Sequence, residues 1–261
     1  MDKLFMASSY LRHRLLGTTL QGVHSPFAFE LFHKVIKDET PYYFYDDIES
    51  LRSKLLINEK EIDVCDHGTG GKNIQSRKLK ISHIAKNFIQ PKRKARLLSR
   101  LVTHFRPVNI LELGTSLGIS TLYMALANKS NRIITLEGCP QTASIAMDNF
   151  EKLGAKNIEL INDEFDTGLP KALEKIDQLD LVYFDGNHTE EGTLKYFDEC
   201  LAKHHKQSLF IFDDIYWSRG MNKAWKKIAS HPEVSISIDL FHTGLIFFRE
   251  GIPKQHFNLK F

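Results

Sequence analysis

The feature that most constrains the fold of this chain is a regular alternation of short apolar runs and helical patterns that begins near residue 91. The pattern predicts a helix over 92–105, strands over 109–113, 132–136, 157–161, 179–184 and 208–212, and helices over 120–127, 141–153, 169–176, 190–203 and 219–229. Short apolar strands that alternate with helices form a parallel sheet covered on both faces. The sequence therefore predicts an α/β fold.

The last part of the chain departs from this alternation. Residues 234–241 and 245–249 are two strand-like runs joined only by residues 242–244. A linker of that length cannot hold a crossover helix, so the two runs are predicted to pair as an antiparallel hairpin. The expected sheet is mostly parallel and ends in a C-terminal hairpin.

The first ninety residues lack this regularity. They predict helices over 5–16, 26–36 and 46–58, an aromatic turn over 41–45 and a glycine-rich loop over 66–71. Ser25 followed by Pro26 is typical of a helix start. We expect a helical and irregular N-terminal cap over 1–90 and a main domain over 91–261.

The composition suits a globular protein, since 42% of the 261 residues are hydrophobic. No run approaches the ~20 apolar residues that cross a bilayer, and the first residues lack the pattern of a signal peptide. The three cysteines are widely spaced and match neither a zinc site nor a C-x-x-C motif. These features predict reduced thiols and a cytoplasmic location.

The charge is unevenly distributed. Residues 67–111 contain no acidic residue but many basic ones, among them Lys72, Arg77, Lys78 and Arg106, whereas residues 151–199 are rich in acids. Such a basic segment can attract nucleic acid, an anionic substrate or the acidic part of the same molecule, or it can be a solvated helix face. Lys72, Arg77 and Lys78 are the candidates for contact with an anionic acceptor.

The loop after the first predicted strand of the main domain is a candidate ligand site. The run 110–120, ILELGTSLGIS, breaks into glycines where a helix begins. Ligands of open parallel sheets bind at the carboxyl ends of the strands, and Gly114 and Gly118 allow the backbone to turn tightly beside a ligand. The spacing is not the G-x-G-x-x-G of dinucleotide-binding proteins. Glu137 ends the second strand, where a carboxylate can accept both hydroxyls of a ribose.

These residues resemble the class I S-adenosylmethionine-dependent methyltransferases over residues 91–250. The resemblance implies a Rossmann-like, doubly wound, seven-stranded sheet and S-adenosyl-L-methionine as the cofactor. It assigns Glu112 to the cofactor's ammonium group or to bracing of the loop, and Asp163 and Glu164 to the adenine side. The remaining residues that it assigns to cofactor binding are Gly114, Thr115, Ser116, Gly118, Ser120, Glu137, Gly138 and Asp185.

Three further carboxylates follow two predicted neighbouring strands. Asp185 ends the run 181–185, and Asp213 and Asp214 end the run 209–214. Clustered carboxylates repel one another and either take up protons or surround a cation, and an all-oxygen set suits Mg²⁺, Ca²⁺ or Mn²⁺. The pattern resembles metal-dependent O-methyltransferases of the catechol, caffeoyl-coenzyme A and macrolide-sugar types. The alternative is that these acids only cap loops.

His188, three residues after Asp185, is the candidate general base. Histidine has a reference pKa of ~6.5 and can remove a proton from an acceptor hydroxyl near neutral pH, although a structural role is an open alternative. Tyr216 and Trp217 are candidate walls of an acceptor pocket, whereas core packing is favoured for Trp225.

The sequence thus predicts an S-adenosylmethionine-dependent, metal-assisted O-methyltransferase that acts on a small hydroxylated acceptor, anionic acceptors included. Its rivals are an RNA or DNA methyltransferase that uses the basic segment 72–106, and a non-catalytic nucleotide-binding protein of the same fold. The acceptor and the oligomeric state, a homodimer among the choices, are not fixed by the sequence.

Overall fold

A computed structural model of the chain describes residues 2–17, 25–65 and 76–261. The chain forms two compact units, a split unit of Met1–Asp38 with Ile176–Phe261 and a continuous unit of Glu39–Lys175. The expected boundary at residue 90 lies inside the continuous unit, and the division into cap and main domain stays a prediction. The glycine-rich loop 66–71 and Lys72 lie outside the described residues.

The described elements alternate along most of the chain. The helices are α1 Lys3–Leu16, α2 Pro26–Leu31, α3 Tyr45–Leu56, α4 Ile81–Asn87, α5 Lys92–Phe105, α6 Ile119–Ala127, α7 Pro140–Lys152, α8 Phe165–Glu174, α9 Glu190–Leu201 and α10 Arg219–Ser230. The strands are β1 Glu61–Cys65, β2 Ser76–Lys80, β3 Asn109–Leu113, β4 Arg132–Leu136, β5 Ile158–Ile161, β6 Leu181–Phe184, β7 Leu209–Asp213, β8 Ile236–Asp239, β9 Thr243–Phe247 and β10 Gln255–Asn258. None of these helices is long and apolar enough to cross a membrane.

The continuous unit contains the predicted parallel strands β3, β4 and β5. They lie in the order β3-β4-β5, and their register pairs Glu112 with Thr135. The bounds of α5, β3 and β4 are those predicted from the sequence. The antiparallel hairpin β1–β2 was not predicted: β1 alternates polar and apolar residues, but three of the five residues of β2 are basic and only Leu79 is apolar.

The split unit contains the strands β6 to β10 in the order β10-β8-β9-β7-β6. Strands β6 and β7 are parallel, whereas β9 pairs antiparallel with β7 and with β8. The predicted C-terminal hairpin is therefore confirmed. Strand β10 pairs parallel with β8 and has no counterpart among the predicted strands.

Aromatic packing fixes the hairpin against α10. The Trp225 ring lies where a Cβ atom at Gly244 would stand, 2.4 Å from its Cζ3, and Trp225 is only 3% exposed. Its ring centroid is 6.3 Å from that of Phe212. The prediction that Trp225 belongs to the core is confirmed.

Local capping explains where α2 begins. The Ser25 hydroxyl accepts a hydrogen bond from the Ala28 N–H at 3.5 Å, and Pro26 occupies the first turn of α2, as predicted. The helix continues as a π-helical turn over Phe32–Ile36. Helix α8 begins at Phe165, four residues earlier than predicted, and Asp163 accepts hydrogen bonds from the Glu164 N–H and the Thr167 hydroxyl beside its first turn.

Candidate functional site

The turn between β3 and α6 requires its glycines. Gly114 and Gly118 have positive φ angles of 106° and 81°. A Cβ atom at Gly118 would stand 2.4 Å from Cε1 of Phe150, so both the backbone conformation and the close ring exclude a side chain there. The Gly114 and Thr115 N–H groups both donate to the Leu136 carbonyl, which ties this turn to the end of β4.

Glu112 is buried beneath the turn with no solvent exposure. Its carboxylate accepts hydrogen bonds from three hydroxyls, those of Ser120 at 2.6 Å, Thr121 at 2.5 Å and Thr135 at 2.7 Å. Burial raises the pKa of Glu112 to about 7, and the three hydroxyl donors oppose this rise. The carboxylate thus holds the first turn of α6 to the neighbouring strand, which matches the bracing role considered for it.

Glu137 connects two backbone segments at the end of β4. Its Oε2 accepts from the Ser116 N–H at 2.8 Å, and its Oε1 accepts from the Cys139 N–H at 3.0 Å. Ser116 has a positive φ of 49°, which directs its N–H towards this carboxylate. The structure therefore brings Glu137 and Gly138 together with the turn Gly114–Gly118, as the sequence predicted for one ligand site.

The predicted adenine-side acids have different surroundings. The Asp163 carboxylate accepts from Lys171 Nζ at 2.6 Å and from the Thr167 hydroxyl at 2.5 Å, and the Lys171 bond is the main cause that lowers its pKa. Asp163 thus pairs with Lys171 and lies beside the first turn of α8. Glu164 is exposed at the start of that helix. Contact of either residue with adenine stays a prediction.

The loop after β6 has a defined shape. Asn187 has a positive φ of 49°, and its side chain accepts from the Thr189 hydroxyl and donates to the Tyr196 hydroxyl. On this loop, His188 Nε2 lies 4.0 Å from Asp185 Oδ1, with the two side chains 26% and 14% exposed. The imidazole and the carboxylate are thus close enough for the charge of one to act on the other.

The acidic pair follows β7 and divides between two environments. Asp213 is 1% exposed, ends the strand and accepts from the Thr243 hydroxyl at 3.5 Å. Asp214 is half-buried in a turn with φ 51°, and its N–H donates to the His242 carbonyl. The register that pairs Phe184 with Phe212 puts Asp185 and Asp213 at corresponding strand ends.

The predicted metal centre at Asp185, Asp213 and Asp214 is not confirmed. Within residues 2–17, 25–65 and 76–261, no three His, Cys, Asp or Glu side chains come together so that they could hold an ion. Asp213 is buried at the end of β7 and Asp214 is half-buried in the following turn. The assignment of a cation to Asp185, Asp213 and Asp214 therefore stays a prediction.

The two aromatic residues predicted to line an acceptor pocket lie in different surroundings. Tyr216 donates its hydroxyl to Asp239 Oδ2 at 2.8 Å and stacks on Phe241 at a centroid distance of 4.7 Å, so its side chain is held within the fold. Trp217 is half-buried, with its ring 6.2 Å from that of His188. Trp217 is therefore the better candidate for contact with an acceptor near His188.

The basic segment is not one continuous surface. Arg77 and Lys78 on β2 are exposed, whereas Arg100 on α5 is only 7% exposed. The Arg96 guanidinium lies over the Tyr45 ring, 4.6 Å from its centroid. Part of the segment that suggested nucleic-acid binding thus serves the interior of the continuous unit.

Three residues of the site were missed by the sequence analysis. Thr121 and Thr135 hold Glu112, and Asn162 donates through Nδ2 to the Glu137 carbonyl at 2.6 Å. Of the three, Thr135 could most readily have been predicted. If the two predicted parallel strands are aligned from their first residues, Thr135 lies opposite Glu112. The sequence around Asn162 does not indicate its bond to the Glu137 carbonyl, because that bond depends on the direction that the chain takes after β5.

Comparisons with known proteins agree with this geometry. A family model described as a methyltransferase domain matches residues 111–215. The chain is 31% identical over 110 residues to a catechol O-methyltransferase of Niastella koreensis, which covers 41% of this chain and 49% of that protein. The chain thus matches about half the length of this curated relative.

Solved structures share the fold at lower sequence identity. An O-methyltransferase from Bacillus cereus, solved with S-adenosylhomocysteine, has a TM-score of 0.57 and 15% identity and covers 88% of this chain and 100% of its own. The O-methyltransferase TomG from Streptomyces achromogenes, solved with S-adenosylmethionine, has a TM-score of 0.55 and 19% identity and covers 62% of this chain and 82% of its own.

The expected fold class, an α/β Rossmann-like fold with mostly parallel strands and a C-terminal antiparallel hairpin, is confirmed. The turn that follows β3 and the acid that ends β4 both lie inside the matched segment. Residues 111–215 of this chain match the model of a methyltransferase domain, and the predicted resemblance to class I S-adenosylmethionine-dependent methyltransferases is confirmed.

Proposed function

We propose that this chain transfers a methyl group from S-adenosylmethionine to a hydroxyl group of a small acceptor, anionic acceptors included. The observation that carries the proposal is the turn Gly114–Gly118, braced by the buried Glu112 and joined to Glu137. We call the turn Gly114–Gly118, together with Glu112 and Glu137, the cofactor cradle. The cradle lies within the segment that matches the methyltransferase domain.

The residues of the cradle suit the cofactor chemically. Gly118 stands at the start of α6, where the first N–H groups of a helix lack partners inside the helix. Gly114, Thr115, Ser116 and Ser120 are assigned to the methionine end. Glu137 and Gly138 are assigned to the ribose, because a strand-end carboxylate can accept from both of its hydroxyls.

Acceptor activation is assigned to His188 and Asp185. S-adenosylmethionine, when bound, supplies an electrophilic methyl group on a positively charged sulfur. His188 removes the proton of the acceptor hydroxyl, and the oxygen that remains carries the electron pair for the new bond to carbon. Asp185, 4.0 Å from His188 Nε2, stabilises the positive ring that results. Trp217 is assigned to the wall beside the acceptor.

No step of this mechanism is assigned to a cation, and the predicted site at Asp185, Asp213 and Asp214 is treated as a separate proposal. The predicted assistance by Mg²⁺, Ca²⁺ or Mn²⁺ is tested by measuring turnover with and without a chelator. Turnover unchanged by chelation supports activation by His188 alone. Turnover abolished by chelation and restored by one of these ions would overturn this form of the mechanism.

The experiment that tests the proposal is a screen of hydroxylated acceptors for formation of S-adenosylhomocysteine. Catechols, phenols and sugar hydroxyls, each with and without an anionic substituent, cover the proposed class. Turnover with one of them supports O-methylation. Binding of the cofactor without turnover of any acceptor would favour the non-catalytic rival.

The nucleic-acid rival rests on the exposed Arg77 and Lys78 of β2. Electrostatic binding of this kind weakens steeply as salt rises, because basic side chains release counterions from phosphates. Methylation of RNA or DNA that falls with salt and is lost in Arg77→Ala/Lys78→Ala would favour that rival over a small acceptor. The proposal expects small-molecule turnover that is nearly independent of these two residues.

Two further predictions complete the proposal. A cytoplasmic location is proposed from the three free thiols, because disulfides are rare in reducing compartments.

A homodimer is the oligomeric state to test, by sedimentation of the full chain over a range of concentrations.

A further inference from the structure

The hairpin β1–β2 is attached to the segment that follows Glu137. Strand β1 packs against α7, and the side chain of Gln141 pairs with Asp63 twice. The Asp63 N–H donates to Gln141 Oε1 at 2.8 Å, and Gln141 Nε2 donates to Asp63 Oδ2 at 3.2 Å. These bonds fix β1 beside the start of α7.

Two cysteines meet at this attachment. The Cys139 thiol donates to the Asp63 carbonyl at 3.3 Å, and the Cys65 N–H donates to Cys139 Sγ at 3.4 Å. The backbone of Cys65 therefore contacts the sulfur of Cys139 directly. Both are free thiols, and their contact could not be predicted from the sequence, because 74 positions separate the two residues.

The same cysteine borders the proposed ribose site. The Cys139 N–H donates to Glu137 Oε1 at 3.0 Å, so the backbone that carries one thiol also orients the carboxylate. Any displacement of Cys139 is transmitted to Glu137 through this bond. The thiol pair and the cofactor cradle are therefore mechanically linked within the continuous unit.

We propose that Cys65 and Cys139 are an oxidation site, at which a reversible disulfide fastens the β1–β2 hairpin to the turn that bears Glu137 and weakens cofactor binding. Formation of the disulfide does not depend on the proposed function, whereas its effect on cofactor binding rests on that function.

The oxidant is a small-molecule disulfide such as oxidised glutathione. The Cys65 thiol, half-exposed, loses its proton and attacks one sulfur of the small disulfide, whose S–S bond breaks and releases one thiolate. The buried Cys139 thiol then loses its proton and attacks the Cys65 sulfur, which releases the second small thiol. Two protein thiols are oxidised by two electrons, and one small disulfide is reduced to two thiols.

The rate of this exchange is expected to rise with pH. Burial, followed by the neighbouring Cys139, raises the pKa of the Cys65 thiol, so the reactive thiolate is scarce at neutral pH. Faster oxidation at alkaline pH is therefore part of the expected behaviour, and it separates attack by Cys65 from a non-specific loss of thiols.

The test treats the full chain with oxidised glutathione and measures the intact mass, the linked peptides and the free thiols. We expect a loss of two hydrogens, one peptide pair joining Cys65 to Cys139, and a single remaining free thiol at the buried Cys200. Closing a loop of this length constrains the unfolded chain and should raise the midpoint of thermal unfolding by about 5 °C or more.

Variants separate the possible outcomes. Cys65→Ser should abolish the mass loss and the thermal shift, whereas Cys200→Ala should retain both. A chain that keeps three free thiols under oxidation, or that joins Cys200 instead, would overturn the proposal. Since Cys65 is half-exposed, Cys65→Ser is expected to fold, and its unchanged thermal midpoint under reducing conditions verifies this.

The effect on the cofactor is measured by titrating reduced and oxidised protein with S-adenosylhomocysteine. Oxidation should lower the affinity about threefold or more, comparable to the loss of one hydrogen bond, and a reductant should restore it. Equal affinity of the reduced and the oxidised protein would overturn the proposed effect of the disulfide on cofactor binding. Absence of binding by the reduced protein would instead contradict the proposed function and leave the disulfide result intact.

Discussion

His13 Nε2 lies 3.1 Å from Asp239 Oδ1, and this contact joins α1 to the end of β8 across 226 positions of sequence. Both side chains are buried, 4% and 3% exposed, and the Tyr216 hydroxyl donates to the other oxygen of the same carboxylate. The N-terminal helix is thus fastened to the split unit by a histidine whose charge depends on pH.

The contact predicts a pH-dependent stability of the split unit. Burial opposes the charged ring, but the hydrogen bond and the negative charge of Asp239 outweigh it and raise the pKa of His13. Stabilisation by protonated His13 is therefore complete below the unfolded pKa of 6.5 and is lost as pH rises through the higher folded value. Thermal unfolding at a series of pH values should show His13→Gln losing most stability at acid pH. A deficit that grows towards alkaline pH would contradict this.

The Gly118 turn predicts a matched pair of glycine substitutions. Gly118→Ala meets both a positive φ and the Phe150 ring, whereas Gly154→Ala meets a positive φ of 64° and no atom within 4 Å. Positive φ costs an alanine about 1–2 kcal/mol, so both variants should lose at least this much stability. Denaturant unfolding should show a larger loss for Gly118→Ala, and equal losses would argue against the close contact with Phe150.

Glu112 predicts a stability that falls between pH 4.5 and pH 7. Because the pKa of its buried carboxyl is raised from 4.5 to about 7, the folded chain binds more protons than the unfolded chain in this range. Glu112→Gln should remove this slope while it keeps an acceptor for the hydroxyls. Glu112→Ala leaves three buried hydroxyls without their acceptor and should cost about 3 kcal/mol or more. An unchanged slope in Glu112→Gln would contradict the raised pKa.

His188 predicts a loss of turnover without a loss of cofactor affinity. Removal of a general base typically lowers the rate by ~10²–10⁴-fold, and His188→Ala should fall in this range once an acceptor is known. Asp185→Asn should show a smaller loss, because it removes only the charge beside the ring. His83→Ala on α4 is a control outside the proposed site. Full activity of His188→Ala would exclude the histidine as the base.

The sequence predicted what depends on periodicity. Strands β3 and β4 and helix α5 have their expected bounds, because each is a short apolar run or an amphipathic run with turn residues at its ends. The glycine turn and Glu137 could be located for the same reason, since parallel strands align their carboxyl ends. The hairpin β1–β2 and strand β10 could not, because β2 and β10 are short strands with one large apolar residue each, Leu79 and Phe257, which is too few to define a period.

The predictions that stay untested depend on side-chain direction. Three acids at the ends of β6 and β7 suggest one metal centre, and in the structure Asp213 accepts from the Thr243 hydroxyl while Asp214 occupies a turn with positive φ. A sequence shows where these carboxylates lie along the chain, but it does not show the direction in which each side chain points. The same limit concealed the Cys65–Cys139 contact, which only the docking of β1 on α7 creates.

The most direct measurement of the central claim is a calorimetric titration of the full, reduced chain with S-adenosylhomocysteine, compared with Glu137→Ala and with Glu174→Ala. Glu174 is an exposed acid at the end of α8 and serves as the matched control. A cradle formed by the Gly114–Gly118 turn and Glu137 predicts binding by the unmodified chain, about tenfold or more weaker binding by Glu137→Ala, and no change in Glu174→Ala. Binding that is absent from the unmodified chain, or equal in all three proteins, would contradict it.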